Sequence, residues 1–278
     1  MSVAVLGPGA VGGMIAVRLA RADREVVCVG TTRTVGAIRT SGLTLAAPDG
    51  TFGEPVEAVD QLDRPVDLLL VTVKAPGLEA ALGRVPAEAG LVVPLLNGLE
   101  HVDAIRARLR SPVAAGSVGR FEASRDGPAR VVQTSPSAAL TVPAGAADAL
   151  RVPGIDVRVD DDERRVLWEK LARLAPLAAL TALRRRPLGE LRGDPDLRVA
   201  VAEACEVALA DGVPTAFAEQ WAVIESLPDS LTTSAARDVA AGRPSELDAL
   251  VGAVVRAGRR LGVPTPTLDR LEAECRAL

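Results

Sequence analysis

The chain has 278 residues, of which 48% are apolar and 24% are charged, and its formal net charge is −4. This length favours two domains, and the mild acidity excludes the basic surface that nucleic-acid binding or a polybasic membrane contact would need. No apolar run approaches the roughly 18 residues of a membrane-spanning helix, and the N-terminus resembles a strand rather than a signal peptide, so a cytoplasmic protein is predicted.

Several residue types that often carry enzyme chemistry are scarce. There is no tyrosine, which excludes a tyrosine proton donor, and one histidine, His101, which argues against a histidine-ligated metal site. We expect His101 to be a helix-start or surface residue. Cys28, Cys205 and Cys275 are scattered without a C-x-x-C spacing, so they are predicted to be buried apolar groups rather than disulfides or metal ligands. An oxidoreductase of this composition would use a lysine as its acid.

The N-terminal stretch carries the strongest motif. The apolar run Val3–Leu6 leads directly into Gly7, Gly9 and Gly12 at G-x-G-x-x-G spacing, and a helix-compatible run at 13–22 follows. Glycines in a turn are usually only a turn. A buried-type strand before them and a helix after them are, however, the context that dinucleotide binding requires.

Each residue of this turn has a separate predicted task. Gly7 permits the tight turn, Gly9 lets the main chain approach a pyrophosphate, and Gly12 lets the helix pack closely on the strand. The N–H groups at the helix start, including those of Ala10 and Val11, would face the anion. The stretch therefore predicts a cofactor site.

The end of the second predicted strand, at 25–29, indicates which cofactor is used. A protein that prefers NAD usually has an acidic residue about 20 residues past the glycines, where it binds the ribose hydroxyls. Here Gly30 is followed by Thr31, Thr32 and Arg33. Two hydroxyls and a guanidinium suit a 2′-phosphate, which favours NADP(H) over NAD, although a polar loop with a surface arginine is the alternative.

Two later strands end in polar residues. The fully apolar stretch 66–73 delivers Lys74, and the stretch 91–96 delivers Asn97. In open α/β sheets, ligands collect beyond the carboxyl ends of the strands, so Lys74 and Asn97 are expected to face the same crevice as the glycine turn. Further short strands, including a hairpin around Asp49, are predicted at 42–45, 52–59, 113–118, 130–134, 138–142 and 157–159.

The sequence changes character at the acidic run 160–163, whose carboxylates suit the first turn of a helix. From there onward the pattern predicts helices, at 164–183, 196–210, 216–224, 233–241, 245–261 and 266–276. We therefore predict an α/β protein: a Rossmann-type dinucleotide-binding domain over 1–163, followed by an all-α substrate domain over 164–278. The alanine-rich helices could pack within this domain or across a homodimer.

The first of these helices has an apolar face at helical spacing, formed by Trp168, Leu171, Leu174 and Leu177. Pro176 lies inside it and predicts a kink. From composition alone, Lys170 is a lysine with a buried stem, Ser234 a helix start and Glu246 a surface carboxylate.

Taken together, these pieces resemble the ketopantoate reductase (2-dehydropantoate 2-reductase) family over nearly the whole chain. The matching pieces, specific in their order and spacing, are GPGAVG at 7–12, VKA at 73–75, NG at 97–98, WEKL at 168–171, LTAL at 180–183, GEL at 189–191, and 234–238, 242–243 and 246–248.

The resemblance implies an NADPH-dependent reductase of a small-molecule 2-oxo acid. Lys170 would be the general acid that protonates the carbonyl oxygen, and Glu246 would orient substrate and bias that lysine. Asn97 would hydrogen-bond near the nicotinamide and the reacting oxygen. Ser234 would bind substrate, and Lys74 would line the cofactor side.

The chain departs from the family at two positions. The family has asparagines four and eight residues after the lysine, where this chain has Leu174 and Ala178. An apolar face would disfavour a polar hydroxy acid, which indicates a less polar keto compound in place of ketopantoate. Two alternatives stay open: an opine- or imine-type dehydrogenase on the same scaffold, and an NADP-binding sensor without catalysis.

Overall fold

The computed structural model describes all residues from 1 to 278, and it divides into two compact units. The first unit comprises residues 1–96 and 101–163, and the second comprises residues 97–100 and 164–278. The short segment 97–100 therefore belongs with the C-terminal helices, although the chain on both sides of it belongs to the first unit.

The first unit alternates strands and helices along most of its length. In chain order its elements are β1 Val3–Leu6, α1 Ala10–Arg21, β2 Val26–Val29, α2 Thr32–Ser41, β3 Leu43–Ala47, β4 Gly50–Glu54, β5 Glu57–Val59, β6 Val66–Val71, α3 Leu78–Leu82, β7 Ala89–Pro94, α4 His101–Arg108, β8 Ser117–Val118, β9 Ala123–Arg125, β10 Arg130–Gln133, β11 Ala138–Val142, α5 Ala144–Leu150 and β12 Ile155–Val159.

A five-stranded parallel sheet, in the order β5-β2-β1-β6-β7, forms the centre of this unit. All four residues of β1 are buried, as a strand flanked by neighbours on both edges and covered on both faces requires. Burial of such apolar runs supplies the main favourable free energy of this layer. The predicted Rossmann-type α/β fold is confirmed.

Two smaller sheets complete the first unit, in the orders β4-β3-β10-β9 and β12-β11-β8. The predicted hairpin is confirmed, because β3 and β4 pair antiparallel with Ala47 opposite Gly50. The predicted strand at 113–118 is wrong over most of its length: only Ser117–Val118 forms a strand, and Val113 makes a single bridge to Val92.

Three helices of this unit, α2, α3 and α5, were missed by the sequence patterns. The polar stretch after Gly30 starts α2, because the Thr31 side chain accepts a hydrogen bond from the Thr34 N–H and caps the helix. Helix α5 consists mostly of alanine, and its weak apolar periodicity did not predict it.

The second unit is helical, as predicted. Its helices are α6 Glu163–Arg184 (whose first residue belongs to the first unit), α7 Leu188–Leu191, α8 Pro195–Ala210, α9 Phe217–Ser226, α10 Ser234–Ala240, α11 Ala253–Leu261 and α12 Pro266–Cys275. Helix α6 continues through Pro176, which removes one main-chain hydrogen bond without ending the helix. None of the helices in the chain is long and apolar enough to cross a bilayer.

One apolar core holds these helices together. Trp168 is fully buried and donates its indole N–H to Asp211 at 2.8 Å. The small buried residues of α8, including Ala200 and Ala204, pack into the same core, so this alanine-rich helix uses one face within its own unit. The predicted helix at 245–261 begins with a π-helical turn, Asp248–Gly252, rather than an α-helical one.

Candidate active site

The glycine turn closes directly after β1. Gly7 has a φ of +88°, and a Cβ placed on it would lie 2.3 Å from Val73 Cγ1, so no other residue fits there without displacement. The turn is held from both sides, because the Gly7 N–H donates to the Val29 carbonyl at 2.9 Å and the Thr72 hydroxyl donates to the Gly7 carbonyl at 2.8 Å.

The other two glycines of the motif differ in what surrounds them. A Cβ on Gly12 would lie 2.2 Å from Thr72 Oγ1 and 2.6 Å from the Gly7 carbonyl, so α1 packs tightly on the strands here. A Cβ on Gly9 would meet only the Gly7 carbonyl, at 3.8 Å, so this side is open. Helix α1 begins at Ala10. The main-chain N–H groups of Ala10 and Val11 lie in its first turn, where they have no hydrogen-bond acceptor within the helix. These residues fit a dinucleotide pyrophosphate.

A pair of arginines lies at the end of β2. Thr31, Thr32 and Arg33 are exposed at the start of α2. Arg125, from β9, donates to the Thr34 hydroxyl at 2.9 Å. Burial lowers the pKa of Arg125, and the positive charge of Arg33 lowers it further, so the two guanidinium groups are close. Arg125 was not predicted, since it lies about ninety residues along the chain from the motif and no local pattern marks it.

Lys74 is exposed after β6, at the start of a short 3-10 turn, Ala75–Gly77. It belongs to the first unit, whereas Asn97 belongs to the second. The prediction that both side chains face the crevice of the glycine turn therefore stays a prediction.

Asn97 joins two charged residues that are far away in the sequence. The Lys170 Nζ donates to Asn97 Oδ1 at 2.7 Å, and Asn97 Nδ2 donates to Glu246 Oε2 at 3.1 Å. The amide thus bridges the Lys170 ammonium and the Glu246 carboxylate, and all three groups belong to the second unit. Glu246 is buried, contrary to the surface carboxylate that its composition suggested.

The position of Asn97 depends on the residue that follows it. Gly98 has a φ of +101°, and a Cβ on it would lie 2.3 Å from the Ala249 carbonyl in the π-helical turn. Arg256 links the same segment to the π-helical turn. Its guanidinium donates to the Glu100 carboxylate at 2.7 and 2.8 Å and to Asp248 Oδ1 at 2.9 Å. Both contacts hold the Asn97 segment against the turn that follows Glu246.

The Lys170 ammonium is poised to release its proton near neutral pH. Burial lowers the pKa of Lys170 to about 8, the negative charge of Glu246 opposes this shift, and the positive charge of Arg173 adds to it. A lysine with this pKa is a better proton donor to a developing alkoxide than an ordinary lysine.

Three further predicted positions have different surroundings. Ser234 is the first residue of α10 and is exposed, while the helix cap is Thr233, whose hydroxyl accepts from the Ala236 N–H at 3.2 Å. Leu174 is half-buried against the helical core. Ala178 is fully buried in that core, so it presents no apolar surface to a ligand.

A parallel sheet of this order, with a glycine turn after its first strand, defines a dinucleotide-binding protein. A lysine whose pKa is lowered by burial, beside an amide and a carboxylate, is the kind of group that general acid–base catalysis uses. Residues 3–146 match the family described as "Ketopantoate reductase PanE/ApbA", and residues 162–278 match "Ketopantoate reductase PanE/ApbA C terminal". The chain belongs to this family of oxidoreductases, which confirms the resemblance found in the sequence.

Individual relatives agree with the family. A 2-dehydropantoate 2-reductase of Mycobacterium tuberculosis is 32% identical over 97% of this chain and 95% of its own. The crystal structure of a PanE/ApbA family ketopantoate reductase from Ralstonia eutropha JMP134 has a TM-score of 0.87 and 32% identity, over 100% of this chain and 98% of its own. A D-mandelate dehydrogenase in complex with NADH has a TM-score of 0.86 and 25% identity, over 100% and 98%.

Proposed function

We propose that this protein is an NADPH-dependent reductase of a 2-oxo acid, with Lys170 as the general acid. The observation that carries the proposal is the line of hydrogen bonds from Lys170 through Asn97 to Glu246, combined with a lysine pKa of about 8. Relatives named as 2-dehydropantoate 2-reductases support the class of reaction.

The residues would divide the work as follows. A bound NADPH supplies hydride to the carbonyl carbon. As negative charge develops on the carbonyl oxygen, the Lys170 ammonium stabilises it and then transfers a proton to it. Asn97 fixes the ammonium through its amide oxygen, and Glu246 keeps the lysine protonated at neutral pH while orienting the substrate. Ser234 would contribute a hydroxyl to substrate binding.

The preference for NADPH is supported by charge at the end of β2. Arg33 and Arg125 are close enough for one charge to lower the pKa of the other, and a 2′-phosphate would relieve this repulsion. Thr31 adds a hydroxyl, and Lys74 would line the cofactor side from the end of β6. The D-mandelate dehydrogenase relative binds NADH, so cofactor choice within this fold has to be measured for each chain.

The decisive experiment follows NADPH and NADH oxidation side by side with ketopantoate and with branched and aromatic 2-oxo acids. We expect turnover with NADPH, and we expect Lys170→Met to lower kcat about 1,000-fold while NADPH affinity is kept. Turnover of ketopantoate would show that Leu174 and Ala178 are tolerated. Turnover of only the apolar acids would indicate a less polar natural substrate.

Other outcomes of the same panel would replace the proposal. NADPH oxidation that needs an added amine would favour an imine-forming dehydrogenase. Tight NADPH binding without turnover of any carbonyl would favour a sensor. Unchanged turnover in Lys170→Met would contradict the role given to this lysine.

The predicted cytoplasmic location and the predicted homodimer are not tested by these experiments and stay predictions.

A further inference from the structure

One cation near Lys170 has no part in the mechanism above. Arg173 follows Lys170 by three residues on α6, so both side chains lie on the same face of the helix. Arg173 is half-buried, and its Nη1 donates to the main-chain carbonyl of Glu169. The side chain therefore folds back along the helix toward the turn that carries Lys170.

The guanidinium group of Arg173 is held in a fixed orientation by a neutral partner. Its Nη1 also donates to the side-chain oxygen of Gln220, a buried residue of α9, at 2.8 Å. Neither Nε nor Nη2 makes a hydrogen bond in the structure. These two nitrogens form the edge of the guanidinium whose parallel N–H groups match the two oxygens of a carboxylate.

The two cations at this position differ in the carboxylates that act on them. Lys170 and Arg173 are both cationic, and Glu246 supplies one buried carboxylate to the Lys170 side. The negative charge of Glu169 opposes the burial that lowers the pKa of Arg173, and the atom of Glu169 that accepts from the Arg173 Nη1 is its main-chain oxygen. A half-buried guanidinium without a paired anion is costly unless an anion binds there.

We propose that Arg173 binds the carboxylate of the 2-oxo acid through its Nε–Nη2 edge, with Gln220 as the residue that positions the guanidinium. The inference rests on the proposed function, because a 2-oxo acid carries its carboxylate one bond from the carbonyl carbon that Lys170 serves. The spacing of three helical residues suits two groups this close together.

This assignment also explains the loss of polar residues at two neighbouring positions. The side chains of Leu174 and Ala178 carry no polar atom, so neither can hydrogen-bond a hydroxyl of the substrate. In this chain the substrate would therefore be recognised by its carboxylate rather than by its hydroxyl groups. The substrate class is a 2-oxo acid whose remaining chain is less polar than that of ketopantoate.

The test compares 3-methyl-2-oxobutanoate with its primary amide, which has the same shape without the charge. We expect the wild type to have a kcat/KM for the acid about 100-fold above that for the amide, the ratio that two hydrogen bonds to a charged group provide. In Arg173→Gln the ratio should fall below about 5-fold, with the loss in the acid and little change in the amide.

Two further variants protect the test against misfolding. Gln220→Glu keeps the shape of the site and offers Arg173 a competing carboxylate, so it should also reduce the preference for the acid. Arg186→Gln changes an exposed arginine just beyond the end of α6, whose nearest carboxylate oxygen is 3.7 Å away on Glu190, and should leave the ratio unchanged. An undiminished ratio in both Arg173→Gln and Gln220→Glu would overturn the inference.

Binding of oxamate and of its neutral analogue oxamide, measured by calorimetry, separates this inference from the proposed function. If the wild type reduces none of the 2-oxo acids in the panel described under the proposed function, that function fails. Oxamate binding that Arg173→Gln weakens about 100-fold, with oxamide unaffected, would still support a carboxylate site. Equal oxamate affinity in the wild type and the variant would refute the site whether or not reduction occurs.

Discussion

Two glycines shape the two segments on which the proposed function depends, and their surroundings are alike. Gly7 and Gly98 both have positive φ values, +88° and +101°, and a Cβ on either would lie 2.3 Å from its nearest neighbour. They differ in what they place. Gly7 shapes a main-chain turn whose N–H groups suit an anion, whereas Gly98 places the side chain of Asn97.

The difference lies in how many distant parts of the chain each segment needs. The Gly7 turn is almost complete within one strand and one helix start, so its function follows from a run of about twelve residues. The Asn97 segment has meaning only beside Lys170 and Glu246, which are 73 and 149 residues away along the chain. A site for phosphate can be local, but a proton donor and its partners have to be assembled by the fold.

The largest effects are expected from substituting these glycines separately. Gly98→Ala should lower kcat about 100-fold with NADPH affinity unchanged, because the new Cβ pushes Asn97 away from Lys170. Gly7→Ala should weaken NADPH binding about 100-fold, since both its φ and its packing forbid a side chain. The measurements are NADPH fluorescence titration and steady-state kinetics on each variant.

A control glycine is available in the same chain. Gly36 lies in α2, and nothing within 4 Å would meet a Cβ placed on it, so Gly36→Ala should leave both NADPH affinity and kcat unchanged. If Gly98→Ala weakened NADPH binding as much as Gly7→Ala does, the separate roles assigned to the two segments would be contradicted.

The sequence could predict a site formed by one continuous run of residues, but not one formed by residues that only the fold brings together. The parallel strands and the glycine turn follow from apolar runs and spacing, and the hairpin from β3 to β4 follows from its turn residues. Glu246 looked like a surface carboxylate, because its burial depends on helices that the local pattern does not relate to one another. Arg125 and Arg173 were missed for the same reason: an arginine becomes part of a site only through its distant neighbours.

Acid should lower the stability of the fold through the first residue of the helix that follows the Asn97 segment. His101 begins α4 as predicted, but it is buried, neither ring nitrogen has a hydrogen-bond partner, and burial lowers its pKa to about 4. Between pH 6.5 and pH 4 the unfolded chain binds a proton there and the folded chain does not. The free energy of unfolding should therefore fall by about 3 kcal/mol as the pH drops through this range.

Urea denaturation of the wild type and His101→Phe at pH 7.5, 5.5 and 4.5 tests this. The carboxylates titrate in both proteins, so the difference between their free energies of unfolding reports the histidine alone. As the pH falls, the wild type should lose more stability than His101→Phe. A difference independent of pH would show that the pKa of His101 is not lowered by burial.

The pH profile of reduction gives a smaller effect, which separates the roles of the charges around Lys170. Reduction needs the protonated lysine, so kcat/KM should decline as the pH rises through about 8. Glu246→Gln removes the negative charge that opposes the lowering of the Lys170 pKa, so the decline should move to lower pH. Arg173→Gln should move it in the opposite direction. A decline that stays in place in both variants would contradict this electrostatic account.

The smallest effect is expected at Arg256, which fastens the Asn97 segment from outside the site. Its ion pairs with Glu100 and Asp248 are partly exposed, and such pairs contribute about 1 kcal/mol or less. Arg256→Gln should therefore lower kcat only about 5-fold. If Gly98 is the main constraint on Asn97, then Arg256→Gln combined with Gly98→Ala should be no slower than Gly98→Ala alone, because the position is already lost. The opposite outcome is a double variant whose kcat falls by the product of the two single factors. It would mean that the ion pairs of Arg256 position Glu246 or the π-helical turn independently of Asn97.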